Sequence, residues 1–311
     1  MRAALAQAAS IAITIFAVSS MLSVGLAYRI GLIIGPLREA RAVFRALVAN
    51  FVLVPLLAVG IERVIPLDSP EALGLFLLAG SAGAPFLIKL ASAAKRDLAL
   101  SAALLLLLVP VTVFFLPFYV PLAMAHPSLR GLSYLPSSVF AIGLPLLSTL
   151  VVPIVLGLVV KALTPGWAAR LVPIGGKLAT IALVVVVLST FGANFHDLIR
   201  IVRGGAVPAA VLLIAGAFAM GFLLSRPERS AVLGLGTAQR NVAGAMVIAS
   251  RDFNDPDILV MVTASVLAGL LLLFAIAWLL SRRTPHVGVP TPEVTPLRAT
   301  LEVEERPSRA A

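Results

Sequence analysis

Two stretches decide how this chain folds: Gly80-Ser81-Ala82-Gly83-Ala84-Pro85 and Gly234-Leu235-Gly236-Thr237-Ala238-Gln239-Arg240-Asn241. Each sits inside a strongly apolar segment. Pro85 removes a backbone N–H and clashes with the preceding turn, and clustered glycines permit non-helical backbone. Gly80, Gly83 and Pro85 therefore read as helix-break residues in the first stretch, and Gly234 and Gly236 in the second. Lipid cannot satisfy the N–H and C=O groups that a break frees, so protein, water or a ligand must. Glycines also serve close helix packing. The second stretch adds Thr237, Gln239, Arg240 and Asn241 at the same place, which favours a functional reading.

Around these stretches the chain is 60% hydrophobic and 12% charged over 311 residues, with mean hydropathy +1.07. Soluble domains carry about twice that charge, so a soluble enzyme is excluded. Crossing a bilayer takes about 20 apolar residues. Nine segments meet the need: roughly 8–29, 41–61, 72–93, 98–124, 137–163, 173–195, 205–225, 229–250 and 257–281. Pro, Gly and charge separate them, as in Pro66-Leu67-Asp68-Ser69-Pro70, Lys95-Arg96-Asp97, Thr164-Pro165-Gly166 and Arg226-Pro227-Glu228. Hydrophobicity without a period of two argues for helices over a barrel. The first segment is too long for a signal-peptide core and lacks a good cleavage site, so it reads as a retained helix. Residues 284–311 carry five prolines and an acidic run, and read as a disordered cytoplasmic tail. The expectation is an all-α polytopic transmembrane domain over 1–283.

The net charge of +10 has a distribution. Thirteen basic residues fall in loops on one side, among them Arg38, Arg41, Arg45, Lys95, Arg96, Arg226 and Arg229. Six fall on the other: Arg2, Arg63, Arg130, Arg200, Arg203 and Arg251. The richer side faces the cytoplasm, which puts the N-terminus out and the C-terminus in. The charge is thus loop orientation, not a nucleic-acid footprint. The chain also repeats itself weakly. Ser69-Pro70-Glu71 opens the third segment and Arg226-Pro227-Glu228 the eighth, with an interrupted stretch about ten residues on in both. An offset of five segments makes the repeat inverted, and broken helices at matching places in inverted repeats point to a transporter's substrate site.

Arg240 is the unusual residue. A midplane Arg costs about 2.5–3.5 kcal/mol on insertion scales, yet all fourteen acids lie in loops, helix ends or the tail. Its expected partners are helix carbonyls, Gln or Asn side chains, or a bound anion. Lys89 lies one or two turns from a segment end and can snorkel. Candidate substrate-binding residues are Thr237, Gln239, Arg240, Asn241, Ser81 and Lys89. Lone hydroxyls such as Ser19, Ser20, Ser23, Ser189, Thr190, Thr263 and Ser265 usually bond their own helix, whereas Asn50 calls for a polar partner; Asn194 is a further polar residue at depth.

These residues are familiar as a set. Gly236 to Ala243 resembles the second crossover helix of the bile acid:sodium symporter superfamily. Asn50-Phe51-Val52-Leu53-Val54-Pro55 is similar to its Gln-Phe-x-x-x-Pro, and Ser20-Met21-Leu22-Ser23-Val24-Gly25-Leu26 to its opening-helix signature. The likeness spans about 8–283. It implies a panel domain (8–29, 137–163 and 173–195), a core domain (41–124 and 205–281) in which the broken helices cross, and alternating access. The sodium ligands depart from the family pattern. Its Glu falls on Gly236, its Gln on Arg240, its Ser-Asn pair on Ala84-Pro85, and one helix-four hydroxyl on Leu105. Asn50, Ser101 and Gln239 are what remains for an ion. At an effective dielectric near 20, a unit charge about 5 Å away contributes roughly 3 kcal/mol against a cation.

The leading expectation is a secondary transporter of a small organic anion in the inner membrane, with conventional two-sodium coupling argued against. Sodium symport of bile-acid-like anions, oxyanion efflux and a non-transporting sensor or scaffold are the alternatives. A membrane enzyme is disfavoured: His126, His196 and His286 lie in loops or the tail, and no carboxylate lies at depth. No nucleotide-binding loop of the G-x-x-x-x-G-K-[ST] kind is present. No Cys is present either, which excludes disulfides and thiolate metal sites. No cofactor, resident metal, nucleic acid or obligate protein partner is expected; the partners are substrate and lipid.

Overall fold

A computed structural model of the chain describes residues 2–29, 31, 38–133, 138–193, 204–253 and 255–282. The tail 284–311 with His286, and Arg283, Asn194, His196, Arg200 and Arg203, lie outside the described residues. All regular structure among the described residues is helical. Seven continuous helices are long and apolar enough to cross a membrane. We label them α1 (Arg2–Ala27), α2 (Ala40–Val64), α5 (Leu98–Met124), α6 (Val139–Leu163), α7 (Pro165–Ala193), α8 (Ala206–Leu223) and α11 (Pro256–Arg282). Two further apolar segments are each split in two: α3 (Ser69–Gly80) with α4 (Phe86–Ala93), and α9 (Ser230–Ala238) with α10 (Val242–Arg251).

Most boundaries fall within three residues of the expected ones. α7 is one exception, starting at Pro165 instead of 173. Proline is well placed in a first helical turn, where its missing N–H has no partner to lose, so the Thr164-Pro165-Gly166 break is a single residue, not a loop. α1 likewise extends back to Arg2.

Helices α1, α6 and α7 pack chiefly on one another. The α1–α6 crossing is backbone against backbone: a Cβ added to Gly25 would lie 2.9 Å from the Gly157 Cα, and one on Gly157 would lie 2.8 Å from the Gly25 Cα. On α7, Trp167, Ile174, Ile181 and Leu188 recur every seventh residue and are exposed. That spacing sets them on one helix face, an apolar stripe that lipid would cover. The remaining helices surround the two split ones: α3, α9 and α10 are almost wholly buried, while α4 buries only Leu87, Leu90 and Ala91.

Candidate functional site

The first interruption is made by the backbone. α3 ends at Gly80, and residues 81–84 are extended or irregular before Pro85 caps α4. Gly83 takes φ +78°, where a Cβ would also press 2.8 Å from the Val109 N and 2.9 Å from the Leu108 Cβ. Only glycine suits both conditions. The freed groups of Ala82 are taken up by one side chain. Thr112 Oγ1 of α5 accepts from the Ala82 N–H at 3.0 Å and donates to the Ala82 carbonyl at 2.9 Å.

The second interruption is made by side chains. α9 ends at Ala238, and Asn241 caps α10, its Oδ1 accepting from the Gly244 N–H at 3.1 Å. Gly234 and Gly236, expected to break the helix, lie inside α9. Their function is packing: a Cβ on Gly234 would lie 2.9 Å from the Phe218 ring, and one on Gly236 would collide with Leu104. Gly80 is similarly helical, held against the Tyr119 ring. The break falls after Ala238 because the partners of the unwound backbone are there.

The two interruptions touch. The Asn241 N–H donates to the Ser81 carbonyl at 2.9 Å. Around that bond, Arg240 is 3% exposed and threads its guanidinium under both helix ends. Nε donates to the Leu78 carbonyl at 2.9 Å and Nη2 to the Ala79 carbonyl at 2.6 Å. Nη1 donates to the Thr237 carbonyl at 2.9 Å and to Asn50 Oδ1 at 2.8 Å. The last carbonyls of a helix have no partner within it and carry the negative end of its dipole. Arg240 answers those of α3 and α9 together. Of the partner types expected for it, the protein itself supplies carbonyls and an amide. Asn50 sits in a π-turn of α2 (Ala49–Leu53), its Nδ2 donating to the Ala46 carbonyl at 2.9 Å and to Thr237 Oγ1 at 3.3 Å.

The other expected residues scatter. Ser101 donates to the Asp97 carbonyl at 2.7 Å, at the start of α5, and not to a group of the crossing. Ser19, Ser20, Ser23, Thr263 and Ser265 bond carbonyls of their own helices. Gln239 and Arg240 line a narrow cleft toward α8 and α11. Lys89, exposed on α4 with its Nζ 4.9 Å from the Phe86 ring, lines a wider cleft toward α1 and α7. Ser20, Ser23, Tyr28 and Thr180 are among its polar lining. Two buried atoms at the crossing have no hydrogen-bond partner among the described residues: Ser81 Oγ and Asn241 Nδ2. Thr112 went unnoticed in the sequence. Its one signal is a hydroxyl amid apolar residues just after Pro110.

No curated protein matches the chain. The model of one family, described as the sodium bile acid symporter family, matches residues 14–201, more than half of the chain and inclusive of the first interrupted helix. A multi-pass helical membrane protein with this match belongs to the sodium bile acid symporter family.

Proposed function

We propose that this chain is a secondary transporter that carries a small organic anion across the cytoplasmic membrane by alternating access, the anion being held where the interrupted helices meet. The observation that carries the reading is the pair Ser81 Oγ and Asn241 Nδ2, one on each interruption, both buried and both unpaired. An unpaired buried polar atom costs about 1–3 kcal/mol, which a ligand oxygen bonding it would recover. Helices α4 and α10 start at this place, so their positive dipole ends add to the attraction for an anion. The negative ends of α3 and α9 are already met by Arg240. In this reading Arg240, Thr237 and Gln239 shape the field behind the anion, while Asn241 and Ser81 touch it. Lys89 draws anions into the adjoining cleft. Family membership supports transport over catalysis.

The rest of the scheme is proposed with it: nine crossings, N-terminus out, and a panel of α1, α6 and α7 against a core of the other helices. The α1–α6–α7 packing supports that division. Sodium symport is the competing reading, and the family name favours it. Against it stands Gly236, which supplies no side-chain oxygen where the family pattern has Glu and where an added Cβ would first have to displace the Leu104 side chain.

Thermal-shift titration of purified protein with pyruvate, benzoate and cholate tests the site. At least one anion is expected to stabilise the protein, since ligand bound only by the folded state does so by mass action. Ser81→Ala and Asn241→Ala are each expected to weaken that anion about tenfold. Absence of any stabilising anion, or wild-type affinity in both variants, defeats the reading. Flux into proteoliposomes with sodium replaced by choline separates the two transport schemes.

A further inference from the structure

The acceptors around Arg240 form a cage suited to a cation. Three backbone carbonyls, of Leu78, Ala79 and Thr237, and the Asn50 amide oxygen converge on one guanidinium at 2.6–2.9 Å. No carboxylate is among the four. Two of the carbonyls end one interrupted helix, the third ends the other, and Asn50 comes from a π-turn of a third segment. Three segments therefore aim oxygen lone pairs at a buried point. Left empty, that point would hold three desolvated acceptors, of Ala79, Thr237 and Asn50, beside the Leu78 carbonyl that also accepts from the Ser81 N–H at 3.1 Å, and two negative dipole ends.

We propose that Arg240 is a tethered cation: its guanidinium fills an oxygen cage that would otherwise have to bind a free monovalent ion, so the crossing of the interrupted helices is complete without one. Geometry favours a guanidinium over a compact ion in this cage. The acceptors lie where a planar fork with five N–H donors can reach them in several directions, and four of the five are engaged. The chemical class of ligand for the vacated cage is accordingly a planar, singly charged, hydrogen-bond-donating cation. The proposal does not depend on what the protein transports, because its readout needs no substrate.

The experiment is chemical rescue of thermal stability in detergent. Arg240→Ala is expected to lower the Tm by roughly 10 °C or more. Low-millimolar guanidinium chloride is expected to restore at least half of the loss, and equimolar urea, similar in shape but neutral, none. Wild-type protein is expected to melt alike in sodium, potassium and choline chloride. Should Arg240→Ala not fold, Arg240→Lys and Arg240→Met replace it: the charged variant is expected to melt well above the neutral one. Equal rescue by urea, an Arg240→Ala Tm equal to wild type, a lysine variant no better than methionine, or sodium-specific stabilisation of the wild type overturns the proposal. Loss of anion binding with cage rescue intact would strike the transport reading alone.

Discussion

The two interruptions do the same thing by different means. At Ser81–Pro85 the backbone is broken by residues that cannot stay helical, and a neighbouring helix repairs the damage through Thr112. At Gln239–Asn241 nothing forbids a helix, since the glycines of that segment lie in the helical part. There the break is held open by what Arg240 and Asn241 gain from leaving the helix: four bonds for one side chain, an N-cap for the other. One break is a prohibition, the other an attraction. The attraction also serves the first break, because two of the Arg240 acceptors belong to α3.

Gly83→Val attacks the prohibition most directly. It combines a left-handed φ with contact against Val109 and Leu108, and a loss on the order of 4 kcal/mol is expected, read as a large fall in the Tm or failure to fold. A near-neutral result would mean the first break has slack and the contrast is overdrawn. Thr112→Val removes the repair and leaves the Ala82 N–H and carbonyl unpaired, with an expected cost of about 2–4 kcal/mol. Ser265→Ala is the control, since that hydroxyl bonds the Met261 carbonyl of its own helix; it is expected to cost under about 1 kcal/mol. Equal effects in the two would show that Thr112 is ordinary core.

The smallest effect concerns the exits. The first interrupted segment leaves through Lys95, at φ +55°, and the second through Asp252, at the C-terminus of α10. Burial pushes the Asp252 carboxyl up to about 6, against the opposing pull of Arg251. The folded chain thus keeps a proton that the unfolded chain, with a carboxyl near 4, has lost. This contribution to stability is complete below about pH 4 and is lost as pH rises through about 6. Asp252 is partly exposed, so solvent screening reduces the effect. A Tm profile between pH 4 and 7 is expected to be flatter in Asp252→Asn than in wild type; parallel profiles would remove the asymmetry between the exits.

Much of this was readable from residues alone. Pro85 and Gly83 announce the first break because their constraints are local. Asn50 and Arg240 each demanded a polar partner at depth, and they supply it to one another. Gly234 and Gly236 point to the second break in the sequence yet lie inside α9. Glycine in a packed helix looks the same in sequence whether it permits a bend or a close neighbour, and here Phe218 and Leu104 are the neighbours. Whether Arg240 faced carbonyls or an anion depended on where α3 ends relative to α9, residues about 160 apart. Thr112 was hidden for the same reason: its partner is thirty residues away.

The contact of Gly25 with Gly157 has a mechanical meaning. Two helices whose backbones touch have no side-chain layer through which to slide or tilt, and a methyl group at either glycine would force them apart. α1 and α6 are clamped, with α7 laid along them. Under the proposed alternating access, such a clamp would make those three helices the stator. Motion would then be left to the seams that α1 and α6 make with α10 and α5.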